Sequence, residues 1–343
     1  MKSATSLLTA VATLCLCTAV ASAQNTVDSQ GLRQGHWIRT DKDGTKLFEA
    51  DYVDGLETGT STYYYPSGLV RIRNTYSIPG VRCAHEAFDE QGRLLATGEY
   101  LQRNRDGLWK FYAADGHLVK EAYYSMGIKE GQHTVFDNQG DTAEITHWHN
   151  NQRQGRWWRR LGTKGYITGN YIDGNMEGQL LEYDDQGRVA REGNYLRGLK
   201  HGSYRIFEQG TLSVDERWNH GLMSERKIRL LCPEERFVSI FDIACLAPMG
   251  KNRVAVYLKD GSKLVAQEGA DAVYARIGNS HFSLANRKGR IMVAADCIQG
   301  LGKDNEGRDI LLLDPRPDFT IFPDEDGIKM ASLRQHPIPA DED

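Results

Sequence analysis

The chain has 343 residues, room for two domains, with a net charge of -4 and a mean hydropathy of -0.54. This composition excludes a disordered polyelectrolyte and a polytopic membrane protein, and it lacks the basic excess of a nucleic-acid-binding domain. Glycine is the outlier, at 35 residues.

The first element is a leader. Met1 and Lys2 give a basic start, Leu7 to Val20 an apolar stretch, and Ala21-Ser22-Ala23 a small-residue cleavage motif. Together they read as a secretory signal peptide over residues 1–23, cut before Gln24. The apolar stretch is short for a bilayer span. Leu precedes both Cys15 and Cys17, so neither sits in a lipobox. The expectation is a periplasmic or secreted protein.

Residues 24–225 are periodic. Gly35, Gly59, Cys83, Gly107, Gly131, Gly155, Gly178 and Gly202 are spaced by 24 residues, once by 23. A second series falls inside the first: Gly44, Gly68, Gly92, Gly116, Gly140, Gly165, Gly187 and Gly210. A third is aromatic: Tyr52, Tyr76, Tyr100, Tyr124, Trp148, Tyr171, Tyr195 and Trp218. The inner glycines separate two strand-like runs, such as Gly107 to Tyr112 and His117 to Tyr124. A glycine there supplies the positive φ of a tight hairpin turn. No helical period competes. The expected fold class is therefore all-β: an elongated single-layer antiparallel β-meander of about eight hairpin repeats. Sixteen strands at about 4.8 Å spacing would span about 75 Å.

Gly107-Leu-Trp-Lys-Phe-Tyr-Ala-Ala-Asp-Gly116 and Gly178-Gln-Leu-Leu-Glu-Tyr-Asp-Asp-Gln-Gly187 resemble MORN repeats, particularly a bacterial antitoxin-like MORN variant. The likeness covers about residues 31–225. It implies a single-layer β-meander used for protein contact, scaffolding or, in some members, lipid contact. The antitoxin-like label implies an intracellular partner.

The phase is lost near Ser224, so residues 226–343 form a second, small and mostly β module. Arg253 to Ala266 spells a hairpin turning at Asp260-Gly261. Ala275 to Ile277, His281 to Leu284, Ile291 to Ala294 and Ile310 to Leu313 are further strand candidates, with a turn at Arg287 to Arg290. The tail from Gln335 to Asp343 is expected to fray. Beyond the leader remain Cys83, Cys232, Cys245 and Cys297. Export allows disulfides, and Cys232 with Cys245 is the nearest pair in sequence.

No Gly-x-Ser-x-Gly, Walker loop, His-Glu-x-x-His or dinucleotide fingerprint occurs, so binding rather than catalysis is expected, without a cofactor. An enzyme with its site in residues 226–343 is the remote alternative. His147-Trp148-His149 puts two imidazoles on one strand face, with His133 as a conceivable third ligand, but no carboxylate pattern supports a metal. Asp41, Asp89, Asp137 and Asp184-Asp185 recur near the inner glycines and read as turn formers rather than calcium ligands. The densest basic-aromatic run is Arg156, Trp157, Trp158, Arg159 and Arg160. It is the candidate binding cluster for glycans or lipid head groups. The competing reading is a strand whose tryptophan fills the slot held elsewhere by Trp37 and Trp109. Nucleic acid is disfavoured, because residues 24–225 carry 24 Lys and Arg against 28 Asp and Glu. The aromatic series either marks an interface or simply ties the sheet together. The sequence therefore points to an exported interaction or scaffold module of the cell envelope with a protein partner not named by the sequence.

Overall fold

A computed structural model describes residues 24–278, 282–285 and 291–323. The leader, the turn at 287–290 and the tail from 335 lie outside the described residues. The chain divides into two compact units, Met1–Gly131 with Phe136–Asp141, and Gln132–Val135 with Thr142–Asp343. Both are antiparallel β-meanders in their repeat portions, as the periodicity predicts. No helix of the described residues is long and apolar enough to cross a membrane.

In the first unit each strand from Arg33–Thr40 to Leu118–Ser125 pairs with the next in sequence. Because side chains alternate, the register sorts residues onto two faces. Trp37 lies opposite Ala50 and Arg39 opposite Phe48, so Tyr52, Ala50 and Phe48 share a face with Trp37. These four and Tyr63 form one apolar cluster. The other face carries cross-strand ion pairs such as Arg73–Glu86 at 3.1 Å and Lys110–Glu121 at 3.2 Å. The exposed edge of the first long strand is covered. Thr26–Val27 pairs with Arg33 and Gln34, and the Asn25 carboxamide accepts from the Ile38 N–H at 2.8 Å and donates to its carbonyl at 3.0 Å.

The two glycine series do different work. At the outer ends of the hairpins the chain reverses in two residues of positive φ, such as Asp54-Gly55 or Arg197-Gly198, the geometry that matches strand twist. The first glycine series lies beyond that turn, within the strand. Gly59, with φ 61°, sits where Glu49 and Asp51 pair with Thr62 and Thr58. It is a bulge, not a turn residue. The inner series does turn the chain: Gly44, Gly68, Gly92, Gly116, Gly140, Gly187 and Gly210 have φ of 77° to 93°. Gly165 is a correction. Gly162 takes the positive φ of 60°, while Gly165 opens the strand Gly165–Ile172. A Cβ on Gly165 would stand 2.8 Å from the Tyr183 carbonyl oxygen.

In the second unit the meander runs from Thr142–His149 to Arg236–Ser239. A five-stranded antiparallel sheet follows, built from Ile243–Pro248, Val254–Leu258, Lys263–Ala266, Phe282–Ala285 and Ile291–Ala294. Ile298–Lys303 and Asp309–Leu313 make a separate hairpin. Ala275 to Ile277 is not a strand: it ends the helix Ala270–Ile277, which buries Val273 and Ile277. The main core merges Val214, Ile228, Leu230 and Val238 of the last meander strands with Ile243, Leu246, Val254 and Val256 of the sheet. Cys232 and Cys245 are both free thiols. Cys232 packs against that main core. Cys245 faces a second cluster with Tyr257, Val293 and Leu313, which is why nearness in sequence does not pair them. Burial pushes the Cys245 thiol up to about 12.

Candidate functional site

In each unit the repeats build a face from three rows of residues. The central row, two positions after each phased glycine or its Cys83 equivalent, reads Trp37, Ser61, His85, Trp109, His133, Trp157, Leu180 and Tyr204. Large members need small neighbours across the ladder. Trp109 pairs with Ala122 and packs so closely on Gly98 that a Cβ there would lie 2.3 Å from its ring. Trp157 covers Gly169 and Tyr204 covers Gly193 in the same way. These aromatics are structural: Trp109 is 1% exposed and Trp157 7%.

The second row is the aromatic series, and the third lies two positions before the phased glycine. Val81 and Met176 hold that place in two repeats, but in most of the others it is a cation clamped between rings. Arg33 lies 4.7 Å from the Trp37 ring and 5.2 Å from Tyr52. Arg105 sits over Trp109 and Tyr124, and Arg153 over Trp148 and Tyr171. Lys200 lies 3.7 Å from Tyr204 and 4.4 Å from Trp218. Burial lowers the Lys200 pKa, opposed by Glu216.

The second repeat departs in both rows. Its central residue is Ser61, the only small side chain in that row, and its third-row residue is Glu57, the only acid. With no large ring in the centre, a groove of about 740 Å³ opens across the first three hairpins. Equivalent positions line it in turn: Leu32, Leu56 and Gly80; Arg33, Glu57 and Val81; Tyr52, Tyr76 and Tyr100. Tyr63, Asn74, Cys83 and Arg103 complete it. Arg33 donates to the Tyr52 hydroxyl at 3.1 Å, and Tyr52 donates to Glu57 Oε1 at 3.0 Å. Tyr76 donates to Glu57 Oε2. Burial first, then Glu57, raises the pKa of both phenols, so they stay protonated donors at neutral pH. Burial also pushes the Cys83 thiol up.

The sequence-predicted cluster does not converge. On the strand Gly155–Leu161, Trp157 faces the central row and Trp158 the opposite side, where it meets Tyr166 at 6.0 Å. Arg159 lies on the Trp157 side, 5.8 Å from its ring. Arg156 and Arg160 alternate with it and share the Trp158 side, where Arg160 donates to the Thr142 carbonyl at 2.6 Å. The histidines also part. His133 stands against the Trp148 ring at 5.4 Å, whereas His147 and His149 flank Trp148 and so point from the other face. His147 bonds the Arg156 carbonyl at 2.7 Å. The turn aspartates cap their own turns. Asp41, Asp89, Asp137 and Asp184 each accept the N–H groups two and four residues on, at 2.8 to 3.0 Å.

Stacked β-hairpins with one clamped aromatic face and one charged face define a repeat-based interaction module. Residues 105–126, one full hairpin with its inner turn, match the family model of the MORN repeat variant. The match covers that one hairpin of the array. A search of curated proteins found no match.

Proposed function

We propose that this chain is an exported interaction module of the cell envelope, which binds a protein partner on its aromatic face and performs no catalysis. The groove of the first three hairpins carries this reading. It is where the array gives up a structural ring and lines the space with tyrosines, arginines and one acid, residues typical of recognition surfaces. The signal-like leader supports export, and an envelope partner then replaces the intracellular one implied by the antitoxin-like resemblance. Glycan or lipid binding through Trp157 and Trp158 gains no support from side chains on opposite faces.

Photo-cross-linking in living cells tests this. A cross-linker in place of Arg103, in the groove, should capture one envelope protein reproducibly. The same group at Arg73, on the charged face, should not. Equal capture from both positions, or recovery of the chain only from the cytoplasm, would reject the proposal.

A further inference from the structure

Building on that protein-binding reading, we infer that the groove of the first three hairpins takes a proline-rich segment in the polyproline II conformation. Three observations carry this: direction, period and hydrogen-bonding character.

The groove crosses the strands, because the same repeat positions line it hairpin after hairpin. A chain lying there cannot join the sheet ladder, so side chains must satisfy its backbone. Polyproline II suits this, having no internal hydrogen bonds. Two strands per repeat at about 4.8 Å set a spacing of about 9.6 Å between equivalent tyrosines. A polyproline II helix advances about 9.3 Å per turn of three residues. One ring per turn therefore stays in step with Tyr76 and Tyr100, the half-buried members of the row.

The unused polar groups in the groove are donors. The Tyr63 and Tyr100 hydroxyls, the Arg103 guanidinium and the Asn74 amide nitrogen make no hydrogen bond within the described residues. The Asn74 oxygen is already engaged with His85 at 2.8 Å. The only carboxylate, Glu57, has each oxygen taken by a phenol. The complementary ligand offers acceptors and flat apolar rings but few donors. Proline supplies this, since it lacks an N–H while keeping its carbonyl. A run of carboxylates fits worse, because it must pass Glu57 between Arg33 and Arg103.

Calorimetric titration of the purified full chain decides it. The probe is a blocked polyproline peptide of about ten residues, enough for three turns. Blocked Gly-Ser and polyglutamate peptides of equal length are the comparisons. Saturable binding of polyproline alone is expected. Tyr63→Phe with Tyr100→Phe should weaken it about tenfold, as expected for lost hydrogen bonds, and Arg103→Gln should weaken it further. Neither hydroxyl has a structural partner, so these variants should fold, and Arg73→Gln should bind as the parent does. No polyproline binding, equal binding of Gly-Ser, tighter binding of polyglutamate, or indifference to the groove variants would each overturn the inference. A partner cross-linked from position 103 by a chain that ignores polyproline would leave the interaction reading standing and remove only this one.

Discussion

At the scale of single residues, the central row makes opposite demands on its members. Trp109 can be large only because Gly98 and Ala122 are small. Gly98→Ala would normally favour a strand by removing backbone freedom from the unfolded chain. Here its Cβ would meet the Trp109 ring at 2.3 Å, so a loss of about 1–3 kcal/mol from overpacking is expected. Denaturant unfolding should show that loss, and Trp109→Leu should relieve part of it; an unchanged midpoint for Gly98→Ala would refute the packing. His85 makes a second prediction. Burial first, and Arg105 second, lower its pKa in the fold. The unfolded chain then binds the proton more readily, so stability is full above the ordinary value of about 6.5. It declines as pH falls from there to the folded value. His85→Phe keeps a ring against Tyr100 and Trp109 and should flatten that decline. Parallel pH profiles for parent and variant would exclude His85 as a source of acid sensitivity.

At the scale of the element, the hairpin was legible because its causes are local. Turn glycines, strand composition and a fixed period lie within 24 residues of one another, and seven of the eight inner glycines turn the chain as the spacing implies. What failed depended on partners distant in sequence. Gly165 looked like a turn residue, but its need for no side chain comes from the Tyr183 carbonyl on the neighbouring strand. Gly162→Asn should therefore be nearly silent, since asparagine tolerates the left-handed region, whereas Gly165→Asn should lower the melting temperature clearly. The reverse order would restore Gly165 as the turn residue. Ala275 to Ile277 looked extended yet closes a helix that packs on the meander strand Leu222–Leu230 and on the sheet strand Ile243–Pro248. Trp157 and Trp158 drew attention as neighbours in sequence, although a strand turns adjacent residues to opposite faces. The groove was within reach. Once the central row is aligned on the phased glycines, Ser61 and Glu57 depart together in one repeat. Neither stands out alone.

At the scale of the whole molecule, each unit has a terminal strand to close off, and the two units do it differently. The first long strand is covered by Asn25 and Thr26–Val27, a light closure made by backbone pairing and one carboxamide. In the second unit the last strands are instead built into a full core, where Val214, Ile228 and Leu230 pack with Leu246, Val254 and Val256. Residues beyond the periodic region therefore supply the second layer that a single-layer sheet lacks. It follows that the final repeats and the C-terminal sheet melt together. Ile228→Ala and Leu246→Ala remove fully buried side chains from opposite sides of that core, and each should cost about 2–5 kcal/mol. Both should shift the same calorimetric transition, and a cycle combining them should show coupling, as expected for neighbours in one cluster. Two separate transitions, each moved by only one substitution, would mean that the C-terminal sheet is an independent domain and that the array must be stabilised without it.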